Sequence, residues 1–309
     1  MPASPLLQLL DVSRALGGRS VVAGLNLTLE RACVLGLLGV NGAGKSTTLR
    51  MIAGVLAPST GEIHIDGKDL RDDPESMRRL RGYLPEQVPL YAELRVREYL
   101  DFCARLHGLR GNAMTNAVDM VIERCDLGQV RARLLGNLSK GFQQRVGIAQ
   151  AIVHSPALIV LDEPASGLDP LQATRIRTLV RELGREHAVI VSTHLLPDVQ
   201  ACCDRVAILH QGRLRHDGPL QTATGGDSLR IVVAATLDEA AWESIAGVRD
   251  AKAVGDGWRI VLADNAAPAQ LSQAIVEKGW GLIELRPDAV NLEEIFLQIA
   301  SADEAKVAA

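Results

Sequence analysis

A chain of 309 residues, 47% hydrophobic and 23% charged, can bury a substantial core, which excludes an intrinsically disordered chain and suggests one large domain plus a smaller one, or two. A formal net charge of -4 gives no global electrostatic reason to bind nucleic acid. No apolar stretch approaches the roughly 18 residues needed to span a bilayer. The N-terminus Met-Pro-Ala-Ser-Pro has no secretory pattern, and five cysteines, an odd number without zinc spacing, fit reduced thiols. The expectation is a soluble, cytoplasmic chain.

From Leu6 to about Leu70, short apolar runs alternate with turns: Leu6 to Leu10, Leu25 to Leu29, Cys33 to Leu38, and Glu62 to Ile65 closed by Asp66-Gly67. Between the third and fourth runs stands Gly39-Val-Asn-Gly-Ala-Gly-Lys-Ser46, a complete G-x-x-x-x-G-K-S loop. A buried strand precedes it, and Leu49, Ile52 and Ala53 continue at helical spacing, as a phosphate-binding loop requires. Gly42 and Gly44 permit backbone turns that aim N–H groups and the positive end of a helix at phosphate oxygens. Phosphate contacts are therefore expected from Gly39, Asn41, Gly42, Ala43, Gly44, Lys45, Ser46 and Thr47. Lys45 supplies a mobile charge for the β- and γ-phosphates, and Ser46 a hydroxyl for Mg²⁺.

From Val96 to about Leu135 the periodicity turns helical, with Val96, Tyr99, Leu100, Cys103 and Leu106 on one face and a break at Gly108 to Asn112. This reads as a helical subdomain over about 88–155. Leu138-Ser-Lys-Gly-Phe-Gln-Gln-Arg145 opens another helix, with Ser139 placed to cap it and Gly141 to let a phosphate approach. The apolar runs Ala157 to Leu161, Ala188 to Ser192 and Val206 to Leu209 then alternate with helices, the pattern of a parallel sheet. The first of them ends in Asp162-Glu163, two carboxylates at a strand's carboxyl end, where ligands bind in open α/β sheets. Alternation sends them to opposite sides, so that one can hold Mg²⁺ through water while the other orients an attacking water as general base.

A break rich in Thr and Gly at Thr222 to Ser228 reads as a linker, placing one domain at 1–224 and another at 225–309. After it, Leu229 to Ala235, Leu237 to Ala246, Val248 to Val254, Trp258 to Leu262, Pro268 to Lys278 and Leu282 to Leu285 give the order βαββαβ, a ferredoxin-like α+β arrangement with Leu292 to Ala300 as a last amphipathic helix. It carries no catalytic constellation and reads as a packing or dimer-supporting appendage rather than a ligand sensor.

The succession of phosphate loop, Leu138-Ser-x-Gly-x-Gln-Gln-Arg145, Asp162-Glu-Pro164, Ser166-Gly-Leu-Asp169 and Ser192-Thr-His194 resembles the nucleotide-binding subunit of ATP-binding cassette (ABC) transporters from Leu6 to about Pro219. The resemblance implies a P-loop α/β cassette that binds ATP with Mg²⁺. Two copies sandwich two ATP molecules head to tail, each Ser139 helix touching the γ-phosphate held by the other copy's Lys45. It further implies that Glu163, Lys45 and His194, the switch histidine, are catalytic and that Ser166 to Asp169 lies at the dimer seam, with Asp169 near nucleotide. Tyr83-Leu-Pro-Glu86-Gln87, Tyr91, Val96-Arg-Glu-Tyr99 and Asn291-Leu-Glu-Glu-Ile-Phe296 are similar to the branch serving type-two exporters (gliding motility, multidrug, copper-enzyme maturation). That implies a separate transmembrane permease docking on Gln87 to Tyr99 and a location on the cytoplasmic face of the inner (plasma) membrane.

Three positions depart from the family pattern. Leu16 stands where many cassettes carry an adenine-stacking aromatic. Glu86 aligns with the metal-sensing glutamine and puts a carboxylate beside the Mg²⁺ ligands Ser46 and Asp162, with Gln87 one step later. The signature reads Leu-Ser-Lys140-Gly-Phe142. The competing reading, a cassette ATPase acting on ribosomes or DNA, finds no second cassette, sustained heptads or basic footprint in this chain.

Overall fold

The computed structural model describes residues 4–220, 228–263 and 267–287. The chain divides into two compact units, the first running to Leu220. The sequence reading sets this boundary at 224, within residues 221–227, which lie outside the described residues, as does the expected helix Leu292 to Ala300.

The first unit runs β1 (Leu7–Leu16), β2 (Arg19–Leu29), β3 (Val34–Leu38), α1 (Lys45–Ile52), β4 (Thr60–Ile65), β5 (Lys68–Asp69), α2 (Pro74–Leu80), β6 (Arg81–Leu84), α3 (Val96–Leu106), α4 (Gly111–Arg124), α5 (Lys140–Ile152), β7 (Leu158–Asp162), α6 (Pro170–Leu183), β8 (Ala188–Thr193), α7 (Leu196–Cys202), β9 (Arg205–His210) and β10 (Arg213–Pro219). A six-stranded sheet has the order β10-β9-β3-β8-β7-β6, parallel except for the β9–β10 pair. All of β3, β7 and β8 is buried, which is why these strands are continuous apolar runs rather than alternating ones. A four-stranded antiparallel sheet, β2-β1-β4-β5, packs with α1 and the central sheet into one core. In it Leu9, Leu25 and Ile63 meet Leu49 and Ile52 of α1 and Val160 and Ile190 of the parallel strands. Each such side chain contributes roughly 1.5–3 kcal/mol on burial.

Two sequence expectations change. β1 and β2 are longer than the apolar runs, because they continue past an irregularity at Asp11, in the left-handed region at φ 50, to a hairpin at Gly17-Gly18. Leu106 is 66% exposed rather than on the buried face, since α3 ends there. Helices α3 to α5 stand between β6 and β7, as expected of the helical insertion. His107, at the end of α3, stacks on His154, just past α5, with ring centroids 3.5 Å apart and an interplanar angle of 4°. His154 Nε2 lies 3.1 Å from the Arg81 carbonyl.

The second unit runs β11 (Ser228–Val233), α8 (Glu239–Glu243), β12 (Val248–Val254), β13 (Gly257–Leu262), α9 (Pro268–Glu277) and β14 (Leu282–Pro287), the βαββαβ order with antiparallel strands in the sequence β12-β13-β11-β14. Its core gathers Ile231, Trp242, Ile260, Leu271 and Ile275, with Trp280 edge-on to Trp242 at 5.1 Å. The opposite sheet face carries a row of cations in register, Lys252, Arg259, Arg230 and Arg286. Like charges directly opposite oppose pairing. Ion pairs of Arg230 with Asp256, Arg286 with Glu284 and Lys252 with Asp250 offset that repulsion. No helix among the described residues is long and apolar enough to cross a membrane.

All three tryptophans, Trp242, Trp258 and Trp280, fall in the second unit, whereas all three tyrosines fall in the first, so selectively excited tryptophan fluorescence reports the second unit's unfolding alone. Ile260→Ala should lower the denaturant midpoint of the fluorescence transition by an amount equivalent to about 2–5 kcal/mol. An unchanged midpoint would show that the core does not depend on this contact.

Burial, followed by the adjacent His107 ring, pushes the His154 imidazole down to about 4. The unfolded chain, with an imidazole near 6.5, takes up more protons in between, so this site's contribution to stability is complete above about pH 6.5 and is lost as the pH falls toward 4. His154→Gln should therefore lose less stability between about pH 7 and about pH 5 than the wild type does, measured by urea midpoints. Equal losses in both proteins would remove His154 from the acid response.

Candidate functional site

Three neighbouring parallel strands, β3, β8 and β7, end at one edge, and the chain leaving each carries a polar group into the same cleft. The cleft encloses about 470 Å³ and is lined by residues 41–47 of the glycine-rich loop, together with Val21, Glu86, Glu163, Ser166 and His194. Gly44 lies at φ 100 in front of α1, where a Cβ would come within 2.8 Å of the Val21 carbonyl, so only glycine fits. Gly42, at φ 83, has open space around it. Gly39 does not line the cleft; its Cα faces the Leu209 carbonyl closely, and its own carbonyl accepts a bond from Lys45 Nζ at 2.7 Å.

Lys45 is 6% exposed. Its ammonium also approaches the Val40 carbonyl (3.3 Å) and Glu163 Oε1 (3.8 Å). Burial pulls the ammonium below its ordinary pKa, while Glu163, Asp162 and Glu86 draw it back up. Glu163 is held between two partners, since His194 Nδ1 lies 3.0 Å from both of its carboxylate oxygens. Its backbone occupies the left-handed region at φ 49, which costs a residue with a Cβ roughly 1–2 kcal/mol.

Asp162 is the last residue of β7, whereas Glu163 lies beyond the strand in its left-handed turn, so strand alternation does not set their relative directions. Ser46 Oγ donates to its Oδ1 at 3.2 Å, and Ser192 Oγ donates to the same oxygen at 2.6 Å. Asp162 Oδ2 is buried without a hydrogen-bond partner among the described residues. An unsatisfied carboxylate oxygen beside a serine hydroxyl, with Glu86 across the cleft, is an all-oxygen donor set that fits a hard divalent cation such as Mg²⁺. Of the two residues in question at the turn after β6, it is Glu86 and not Gln87 that reaches the cleft.

The structure does not bring every expected residue into this cleft. Ser139 occupies the N-cap position of α5, but its exposed side chain makes no capping bond, contrary to the expectation of a cap. Gly141 faces the end of the Gln172 side chain. Asp169 caps α6 by accepting from Gln172 N at 2.9 Å. Leu16 is 43% exposed and does not line the cleft. Val21 lines it without any sequence signal, because only the packing of β2 against the loop puts it there. Ser192, part of a motif but without an assigned role in the sequence, turns out to touch both acids: its Oγ also accepts from Glu163 N at 2.9 Å.

A family model described as ABC transporter matches residues 22–166. The bacitracin transport ATP-binding protein BcrA of Bacillus licheniformis is 30% identical over 96% of this chain and 97% of its own length. The linearmycin resistance ATP-binding protein LnrL of Bacillus subtilis is 29% identical over 95% of this chain and 98% of its own. Among solved structures, one described as the ATP-binding subunit of an ABC transporter superposes with a TM-score of 0.64 at 33% identity, covering 71% of this chain and 91% of that one. With the glycine-rich loop, the two carboxylates and the histidine gathered at one sheet edge, the chain belongs to the ABC transporter family, among its ATP-binding subunits.

Proposed function

We propose that this chain hydrolyses ATP as one half of a head-to-tail dimer and thereby drives export through a separate transmembrane permease, working at the cytoplasmic face of the membrane. The observation that carries the reading is the placement of Glu163, its carboxylate 3.8 Å from the buried Lys45 ammonium and 3.0 Å from His194. Backbone N–H groups of the loop and the start of α1 receive the phosphates, and Lys45 exchanges its carbonyl partners for phosphate oxygens. Glu163 accepts the proton of the attacking water, and His194 orients that carboxylate from the other side. Ser46, Asp162 and Glu86 would hold Mg²⁺, which when bound neutralises phosphate charge. Ser139 and Gly141, outside the cleft of a single chain, are available to a nucleotide held by a second copy; Gln172 would have to swing from Gly141 to admit it. The names of the full-length relatives, bacitracin transport and linearmycin resistance, support a role in moving toxic compounds, with the cargo chosen by the permease.

Glu163→Gln keeps the side chain's size and removes the base. Turnover should fall by roughly 10²–10⁴-fold while an ATP-bound dimer accumulates. Gel filtration with ATP and Mg²⁺ reads the second effect; a mutant that stays monomeric, or that hydrolyses at the wild-type rate, sinks the assignment.

The permease contact is expected on Gln87 to Tyr99. Tyr99 is buried and donates to the Pro89 carbonyl at 3.1 Å, so it shapes the segment from inside. Tyr91 is 49% exposed, edge-on to the less exposed Phe102 (39%) at 5.8 Å. An exposed aromatic pair on a surface segment continuous with Glu86 can couple the phosphate site to a docked helix. Tyr91→Glu should leave the ATPase rate of the isolated subunit near normal and abolish co-purification of the permease. Wild-type co-purification would place the contact elsewhere.

A further inference from the structure

We propose that Ser192 is a positioning residue that, through one hydroxyl, aims the buried Asp162 carboxylate and anchors the backbone of the cleft-lining Glu163; the proposal rests on the reading of the cleft as an ATPase site. The parallel register of β7 and β8 pairs Asp162 directly with Ser192, which is completely buried. The hydroxyl's only proton goes to Asp162 Oδ1 at 2.6 Å, and its oxygen accepts the Glu163 backbone N–H at 2.9 Å. Each bond has a separate consequence. With Oδ1 taken by Ser192 and Ser46, the Asp162 carboxylate cannot rotate freely, and Oδ2 is left as the oxygen without a partner. The second bond anchors Glu163 at its left-handed turn, where Ser166 N also donates to the Glu163 carbonyl at 3.1 Å. A group here must donate and accept at once, which a hydroxyl does and a methyl cannot. Removing it takes the Oγ acceptor from the part-buried Glu163 N–H and leaves Asp162 Oδ1 with the Ser46 hydroxyl alone.

The test uses the full-length chain as wild type, Ser192→Ala, Ser192→Thr and Glu163→Gln. It measures ATPase rates over a range of ATP concentrations, Mn²⁺ affinity in the presence of ATP by electron paramagnetic resonance, and affinity for metal-free ATP. Ser192→Ala should lower kcat by about 10–100-fold and weaken Mn²⁺ affinity by about tenfold, the range found when partners that orient metal ligands are removed. Its affinity for metal-free ATP should stay within about twofold, because the phosphate loop is untouched. Ser192→Thr, which keeps the hydroxyl, should recover most of both losses. Wild-type kcat and Mn²⁺ affinity in Ser192→Ala would overturn the proposal. So would a parallel loss of metal-free ATP affinity that Thr does not rescue, the pattern of a collapsed sheet edge. If Glu163→Gln turns over ATP at the wild-type rate, the catalytic reading of Glu163 fails, and the Mn²⁺ measurement on Ser192→Ala still decides whether the hydroxyl orients Asp162.

Discussion

The first unit is organised around a buried cation. Lys45 keeps its ammonium almost out of water, a placement that costs several kcal/mol per ion unless polar partners surround it. The partners come from three directions: the carbonyls of Gly39 and Val40 in its own loop, Glu163 from the end of β7, and the fields of Asp162 and Glu86. Glycine at 44 is what allows the loop to close on itself so tightly, since a side chain there would strike the Val21 carbonyl. The site is thus a cation cage closed by carbonyl and carboxylate oxygens.

The acids around that cation are pre-set by the sheet rather than by one another. β7 and β8 run parallel with Asp162 opposite Ser192, and the chain then turns at Glu163 into a conformation that a residue with a Cβ adopts only under constraint. At the end of β8, Thr193 donates to Asp198 at 3.0 Å, Arg177 of α6 donates to the same carboxylate at 2.8 Å, and Leu195 N donates back to Thr193 Oγ1 at 3.0 Å. His194 therefore hangs from a clamp that joins α6 to α7.

The second unit works by different physics. Its core is a small aromatic cluster centred on Trp242, and its other sheet face tolerates a row of cations only because flanking carboxylates stand beside them. Its own tryptophans, Trp242, Trp258 and Trp280, report its stability.

The sequence by itself determined the local chemistry. The glycine spacing of residues 39–46, the apolar run ending in Asp162-Glu163 and the βαββαβ order after the linker are encoded in contiguous residues, because backbone turns, buried parallel strands and hairpins are short-range consequences of residue type. It also singled out Glu86, which lines the cleft together with Ser46. Less legible were the lengths of β1 and β2, which depend on partners across the sheet, and the outward position of Leu106, which depends on where α3 stops. The tertiary structure alone decided that Val21 lines the cleft, that the Ser139 hydroxyl does not cap its own helix, and that Ser192 holds both acids. Those facts follow from strand register and from packing between segments far apart in the chain, and no spacing along one segment encodes the distance to another.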